Sequence, residues 1–153
     1  MVLILVAACA VSMVLVECVV PGRSWPKVRG WWARALLLNS FQVGIAWCAT
    51  RAWDPWMADR RPWSADGLGL VGGTLVGYLA IVFIYYWWHR ARHASPLLWR
   101  VFHQVHHSPA RLEIITSFYK HPLEIFVNGL LSSAIAYFLV GLNAEATTYA
   151  VLL

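Results

Sequence analysis

The run from Gly67 to Trp88 most narrows what this chain can become. It carries no charged residue, and at about 1.5 Å per residue some 20 apolar residues cross the roughly 30 Å hydrocarbon core of a bilayer as a helix. Three further stretches are of the same kind. Residues 2–20 hold one charge, Glu17, and end at Pro21-Gly22. Residues 31–49 are interrupted by Asn39, Ser40 and Gln42, which suits a helix that turns its polar side inward. Residues 123–142 hold Asn128, Ser132 and Ser133, expected to bond one another or neighbouring helices. The chain is 60% hydrophobic and 12% charged, far from the balance of a water-soluble domain. The expected fold is therefore an all-α integral membrane protein. It has spans near 2–20, 31–49 and 67–88, and a further membrane helix near 123–142 that opens a hairpin. Gly69, Gly73 and Gly77 recur every four residues and form a face that admits close helix contact, expected to pack inside the protein. Tyr85 to Trp88 mark the membrane interface.

The segments between the apolar runs set an orientation. Residues 23–34 carry Arg23, Lys27, Arg29 and Arg34 with no acid, whereas in the loop 51–66 the charges Arg51, Arg60 and Arg61 meet Asp54, Asp59 and Asp66. Arg90, Arg92, Arg100, Arg111 and Lys120 crowd the region after Trp88. The positive-inside rule then puts the N-terminus outside and both the first loop and the region from residue 89 in the cytoplasm. Arginine used in preference to lysine hints at a GC-rich bacterial source, hence a bacterial inner membrane. The net charge of +5 gathers at the ends of apolar runs, which argues against a nucleic-acid partner. Glu17 is expected at the interface, the loop tryptophans as interface anchors, and Arg90 and Arg92 near phospholipid headgroups or an acidic electron donor. Cys9, Cys18 and Cys48 lie in apolar segments without a C-x-x-C pattern and read as small buried residues.

All six histidines lie between His89 and His121. His89 and His93 are four apart, so on a helix they stand one turn above each other. Ser95-Pro96 has the form of an N-cap followed by proline at the first helical position, so a second helix is expected from Leu97 to about His107, stopping at Ser108-Pro109. On it His103, His106 and His107 fall within an arc of about 100°, apart from the apolar stripe of Leu98, Val101, Phe102 and Val105. Two helices can thus aim imidazoles at one point. Imidazole is the commonest nitrogen ligand for iron, zinc, copper and nickel, which makes these residues a candidate metal site. A polar surface patch, a four-nitrogen zinc site without oxidase activity and a bis-histidine haem are the competing readings.

The stretch from Tyr85 to Glu124 resembles the fatty acid hydroxylase / sterol desaturase superfamily. The likeness rests on Tyr-Tyr-Trp-Trp-His-Arg-Ala-Arg-His, Leu-Trp-Arg-Val-Phe-His-Gln-Val-His-His-Ser and His-Pro-Leu-Glu. It implies a membrane-bound non-haem di-iron oxidoreductase that uses O2 and an external electron-transfer protein to hydroxylate or desaturate a C–H bond of a lipid, such as a fatty acyl chain or sterol, in lipid biosynthesis. It also implies His89, His93, His103, His106 and His107 as metal ligands for two iron ions, with zinc a possible substitute. His121 is expected close behind the ligands. Glu124 either orients a ligand or faces the interface, the latter being favoured. The chain then divides into a transmembrane part, 1–88, and a histidine-bearing catalytic part, 89–153. Two irons call for roughly eight to ten donors. The family draws the remainder from a later H-x-x-H-H group, so the resemblance implies that residues 1–153 are an N-terminal portion.

Overall fold

The computed structural model describes residues 2–153, with side chains from Ile4 onward, and among them it is helical without a strand. The helices are α1 (Val2–Val19), α2 (Trp31–Ala49), α3 (Trp53–Ala58), α4 (Gly69–Ala94), α5 (Pro96–Leu98), α6 (Pro122–Ala134) and α7 (Ala144–Leu152). Helix α5 continues as a π-helix over Trp99–His103 and α6 as one over Ile135–Val140, while 3-10 turns form at Asp66–Leu68 and Ile114–Phe118. Two segments are long and apolar enough to cross a membrane, Asp66–Ala94 and Pro122–Val140. Only 11% of the apolar window in the first is buried inside the protein, which is the exposure of a helix solvated by lipid rather than of a soluble core. Helices also form at the two earlier apolar stretches, and α1 presents nearly its whole surface outward. Cys9, Cys18 and Cys48 lie on those outward faces, exposed rather than buried as expected; in an apolar solvent a thiol gains little from burial.

Small residues let α7 lie against α4. A Cβ on Gly73 would meet Leu142 and Ala146 at 3.4 and 3.5 Å, and one on Gly77 would meet Leu142 at 2.5 Å and Ala150 at 3.1 Å. Gly69, expected on the same packing face, instead turns the chain into α4 with φ +64 and open space around it. Replacing Gly77 by leucine is expected to lower the thermal midpoint in detergent by an amount equivalent to roughly 1–3 kcal/mol, because the extra carbons have to push α7 away. The same change at Gly44, which has open space, is the comparison expected to be nearly silent.

A ladder of polar contacts joins α4 to α6. Arg92 pairs with Glu124, Trp88 Nε1–H donates to Asn128 Oδ1 at 3.0 Å, and Tyr85 O–H donates to the Asn128 carbonyl at 2.6 Å with Ser132 Oγ 2.9 Å away. The residues on α4 follow i, i+3, i+7 and those on α6 follow i, i+4, i+8, one face of each helix, and the two series run in opposite directions. The polar residues of α6 are thus satisfied by a neighbouring helix. Ser133 donates to Asp54 Oδ1 at 2.6 Å and accepts from Trp53 Nε1 at 2.9 Å. That pair fixes α3, a short helix inside what the sequence reads as a loop, and draws Trp53 away from an anchoring role. On α2, Asn39 turns inward and donates to the Ile115 carbonyl at 3.0 Å.

The first loop and the histidine region share one side. Trp31 stacks on Tyr119 with centroids 5.5 Å apart, Arg111 Nη1 reaches the Pro26 carbonyl at 3.4 Å, and Glu17 accepts from the Ile114 N–H at 2.7 Å. Glu17 therefore ties α1 to the segment after the histidines, a more specific role than sitting at the interface.

Candidate metal centre

Helix α4 has 26 residues, about 39 Å at 1.5 Å per residue. This exceeds a bilayer core, and its last turns follow the aromatic run Tyr85–Trp88. Those turns carry His89 and His93, whose Nε2 atoms stand 3.1 Å apart. The chain then breaks at Ser95, whose Oγ accepts from the Leu98 N–H, and α5 starts with Pro96 at its first position. The expected regular helix to His107 is not formed. The Gln104 N–H bonds the Trp99 carbonyl five residues back, and the widened π-turn gives way to turns after His103. His103 and His107 nonetheless remain superposed, with Nε2 atoms 3.0 Å apart.

The two pairs meet. His89 and His103 have ring centroids 4.5 Å apart, His93 and His107 4.7 Å. One ligand atom from each of His89, His93, His103 and His107 lies within 4.8 Å of the other three. Trp99 closes one side, 5.3 Å from the His93 ring and 5.2 Å from that of His107. Nitrogens about 2.0–2.2 Å from a shared ion stand roughly 2.8–3.6 Å apart at right-angled or tetrahedral geometry, so the two Nε2 pairs, at 3.1 and 3.0 Å, fit a transition-metal ion. They are too close to be parted by a haem plane.

His106 is not brought into this group. Its Nδ1 faces the Tyr119 carbonyl at 3.4 Å, because three residues past His103 it falls on the flank that packs against residues 114–119. His121 caps α6, its Nδ1 accepting from the Leu123 N–H at 3.1 Å, and is exposed. Glu124 is 1% exposed and lies 3.1 Å from His103 Nδ1, so the interface position favoured by the sequence is replaced by burial behind a histidine. Arg92, expected at headgroups or a donor protein, is 3% exposed and held by Glu124. Sequence reasoning missed this residue, although its place on the Tyr85–Trp88–Arg92 stripe signals the face turned to α6.

Burial, chiefly, and then the nearby Arg92 cation push the His103 imidazole down to about 3. Burial likewise lowers His107, and burial with Lys120 brings His106 to about 4. These rings are neutral at pH 7, the form that ligates a metal. A neutral His103 in contact with a carboxylate donates its Nδ1–H and leaves the Nε2 lone pair directed at His107.

Membrane-length helices ending in a compact cluster of imidazoles define a helical membrane protein with a metal-binding type of site. The model of the fatty acid hydroxylase family matches residues 74–153, just over half of the chain. The chain belongs to the fatty acid hydroxylase family, as its histidine pattern led us to expect, and family and apolar helices together indicate a membrane location and an oxidoreductase activity. No curated protein and no solved structure matches it.

Proposed function

We propose that the chain forms the histidine-bearing part of an iron-dependent, O2-consuming hydroxylase or desaturase acting on a C–H bond of a lipid. The observation that carries this reading is the four-imidazole cluster at the C-terminal end of α4, within the matched family segment. Iron bound there would supply reductive activation of O2 for oxidation of an unactivated C–H bond. His89, His93, His103 and His107 would hold one ion and supply half the donors of a two-iron centre. Trp99 packs against His93 and His107 on one side of the cluster.

The lipid part of the proposal has its own support. A cavity of about 490 Å³ lies between α2, α4, α6 and α7, within the usual range for ligand sites. Ile45, Ile125, Gly129 and Val151 line it, and so does Tyr85, one helical turn below His89. An alkyl chain seated there would pass Tyr85, one turn from the histidine-bearing end of α4. On the outer surface Arg23, Lys27, Arg29, Arg34, Arg90 and Arg100 are all exposed, on the first loop or the histidine region and at their borders. That asymmetry favours a cytoplasmic histidine region and an acidic external electron donor, and the preference for arginine over lysine favours a bacterial inner membrane.

The same four imidazoles also make a complete tetrahedral set for zinc, which is the second reading: a metal-binding membrane protein without oxidase activity. The full-length protein, loaded with Fe(II) or with Zn(II) and supplied with reductant, O2 and mixed acyl lipids, separates the two. Mass spectrometry is expected to find lipid gaining one oxygen or losing two hydrogens with iron only. Tight zinc binding and no oxidised lipid with iron would favour the second reading.

A further inference from the structure

Arg92 sits between two of the clustered histidines in sequence, yet its guanidinium is buried and turned to α6. It pairs with Glu124 Oε1, and that same oxygen lies 3.1 Å from His103 Nδ1. Arg92 Nη2 also lies 3.4 Å from His89 Nδ1. One carboxylate thus touches α4 and the π-helical turn, the two segments that bring the imidazoles together. Stability alone does not account for the arrangement. A buried ion pair loses hydration on both partners, and an apolar pair of similar volume would hold two helices at least as well.

We infer that Glu124 is a positioning residue for the metal centre, accepting the His103 Nδ1–H and neutralising the Arg92 cation beside His89. The inference rests on the metal-centre reading above. The first action fixes the His103 ring and the tautomer that presents Nε2 to an ion, and it raises the basicity of that nitrogen. The second follows from charge. A lone guanidinium within a few ångströms of the cluster would oppose a dication in a poorly solvated place, and the carboxylate removes that opposition. The α4–α6 ladder holds the carboxylate in place, since Trp88 and Asn128 bond one turn below the pair.

The two partners then differ in the sign of their effect on metal affinity. Cobalt(II) is the probe, because its visible bands report ligand geometry without turnover. The full-length protein in detergent is titrated with cobalt(II) against a chelator. Glu124→Gln is expected to weaken binding about 10–100-fold and shift the visible bands. Arg92→Gln removes the opposing cation while keeping Glu124 beside His103, and is expected to bind cobalt(II) at least as tightly as the wild type. A pair with a merely structural role would lower affinity equally in both variants, and either that result or wild-type binding in Glu124→Gln overturns the inference. Should Glu124→Gln fail to fold by circular dichroism, the uncharged double variant R92Q/E124Q compared with R92Q isolates the same carboxylate. Weaker binding in the double variant supports the role, and equal binding overturns it. A wild-type protein that binds no cobalt(II) would instead remove the metal-centre reading itself, and this role with it.

Discussion

Replacing His103 by alanine is expected to empty the metal centre and to cut oxidised-lipid formation by at least about 100-fold, since even the partners behind a ligand are worth about 10–100-fold. His103 is the histidine most enclosed by the others. Its ring lies 4.5 Å from His89, 4.8 Å from His93 and 4.6 Å from His107, and it is 1% exposed. Alanine there removes a nitrogen donor and opens a gap in the cluster. It also leaves Glu124 with Arg92 as its remaining partner among the hydrogen bonds described above. Metal content by atomic emission and product by mass spectrometry check the prediction. His107→Ala is expected to behave similarly, because its Nε2 stands 3.0 Å from that of His103. Wild-type turnover and metal content in either variant would remove that residue as a ligand.

Replacing Gly141 by alanine is expected to cost roughly 2–5 kcal/mol of stability, read as a large drop in thermal midpoint in detergent. Gly141 ends the π-helical turn with φ +79, a left-handed conformation that side chains disfavour. A Cβ there would also lie 2.7 Å from the Trp63 carbonyl oxygen and 2.6 Å from the Trp63 ring. Two hydrogen bonds hinder relief: the Ala65 N–H donates to the Gly141 carbonyl at 2.9 Å, and Arg61 Nη1 donates to the same oxygen at 3.2 Å. The turn aims α7 back along α4, so the variant is expected to loosen the α4–α7 contact as well. Gly30 is the control. It has φ +68 but open space, and Gly30→Ala is expected to lose only about 1–2 kcal/mol. Equal midpoints for the two variants would show that the Trp63 contact does not matter.

Several features were legible because they depend on local periodicity. The helix of Gly69–Ala94 follows from an uncharged run too long to stop within a bilayer. The N-cap at Ser95 follows from Ser-Pro chemistry, and the facing of His89 on His93 and of His103 on His107 from spacing of four. Other features were not legible, and each has a tertiary cause. The turns after the π-helical Trp99–His103 keep His103 over His107 but leave His106 on the flank that faces the Tyr119 carbonyl. Gly69 starts α4 with a positive φ and packs on nothing although its spacing matches Gly73 and Gly77, because the Leu142–Ala150 stretch runs past the latter two. Asp54 and Trp53 read as loop residues until Ser133 of α6 arrives beside them.

The sequence by itself determined that this is an all-helical chain with membrane-length apolar segments, a pairwise arrangement of imidazoles and a place in the fatty acid hydroxylase family. Solvent preference and helical period need only neighbours along the chain. Only the tertiary structure decided which histidines share a point, and that Arg92 and Glu124 lie buried behind them. Charged side chains on a surface-like stretch become buried partners when two helices pack antiparallel in a given register. That register is set by contacts between residues some 30 to 50 positions apart, which no local pattern encodes.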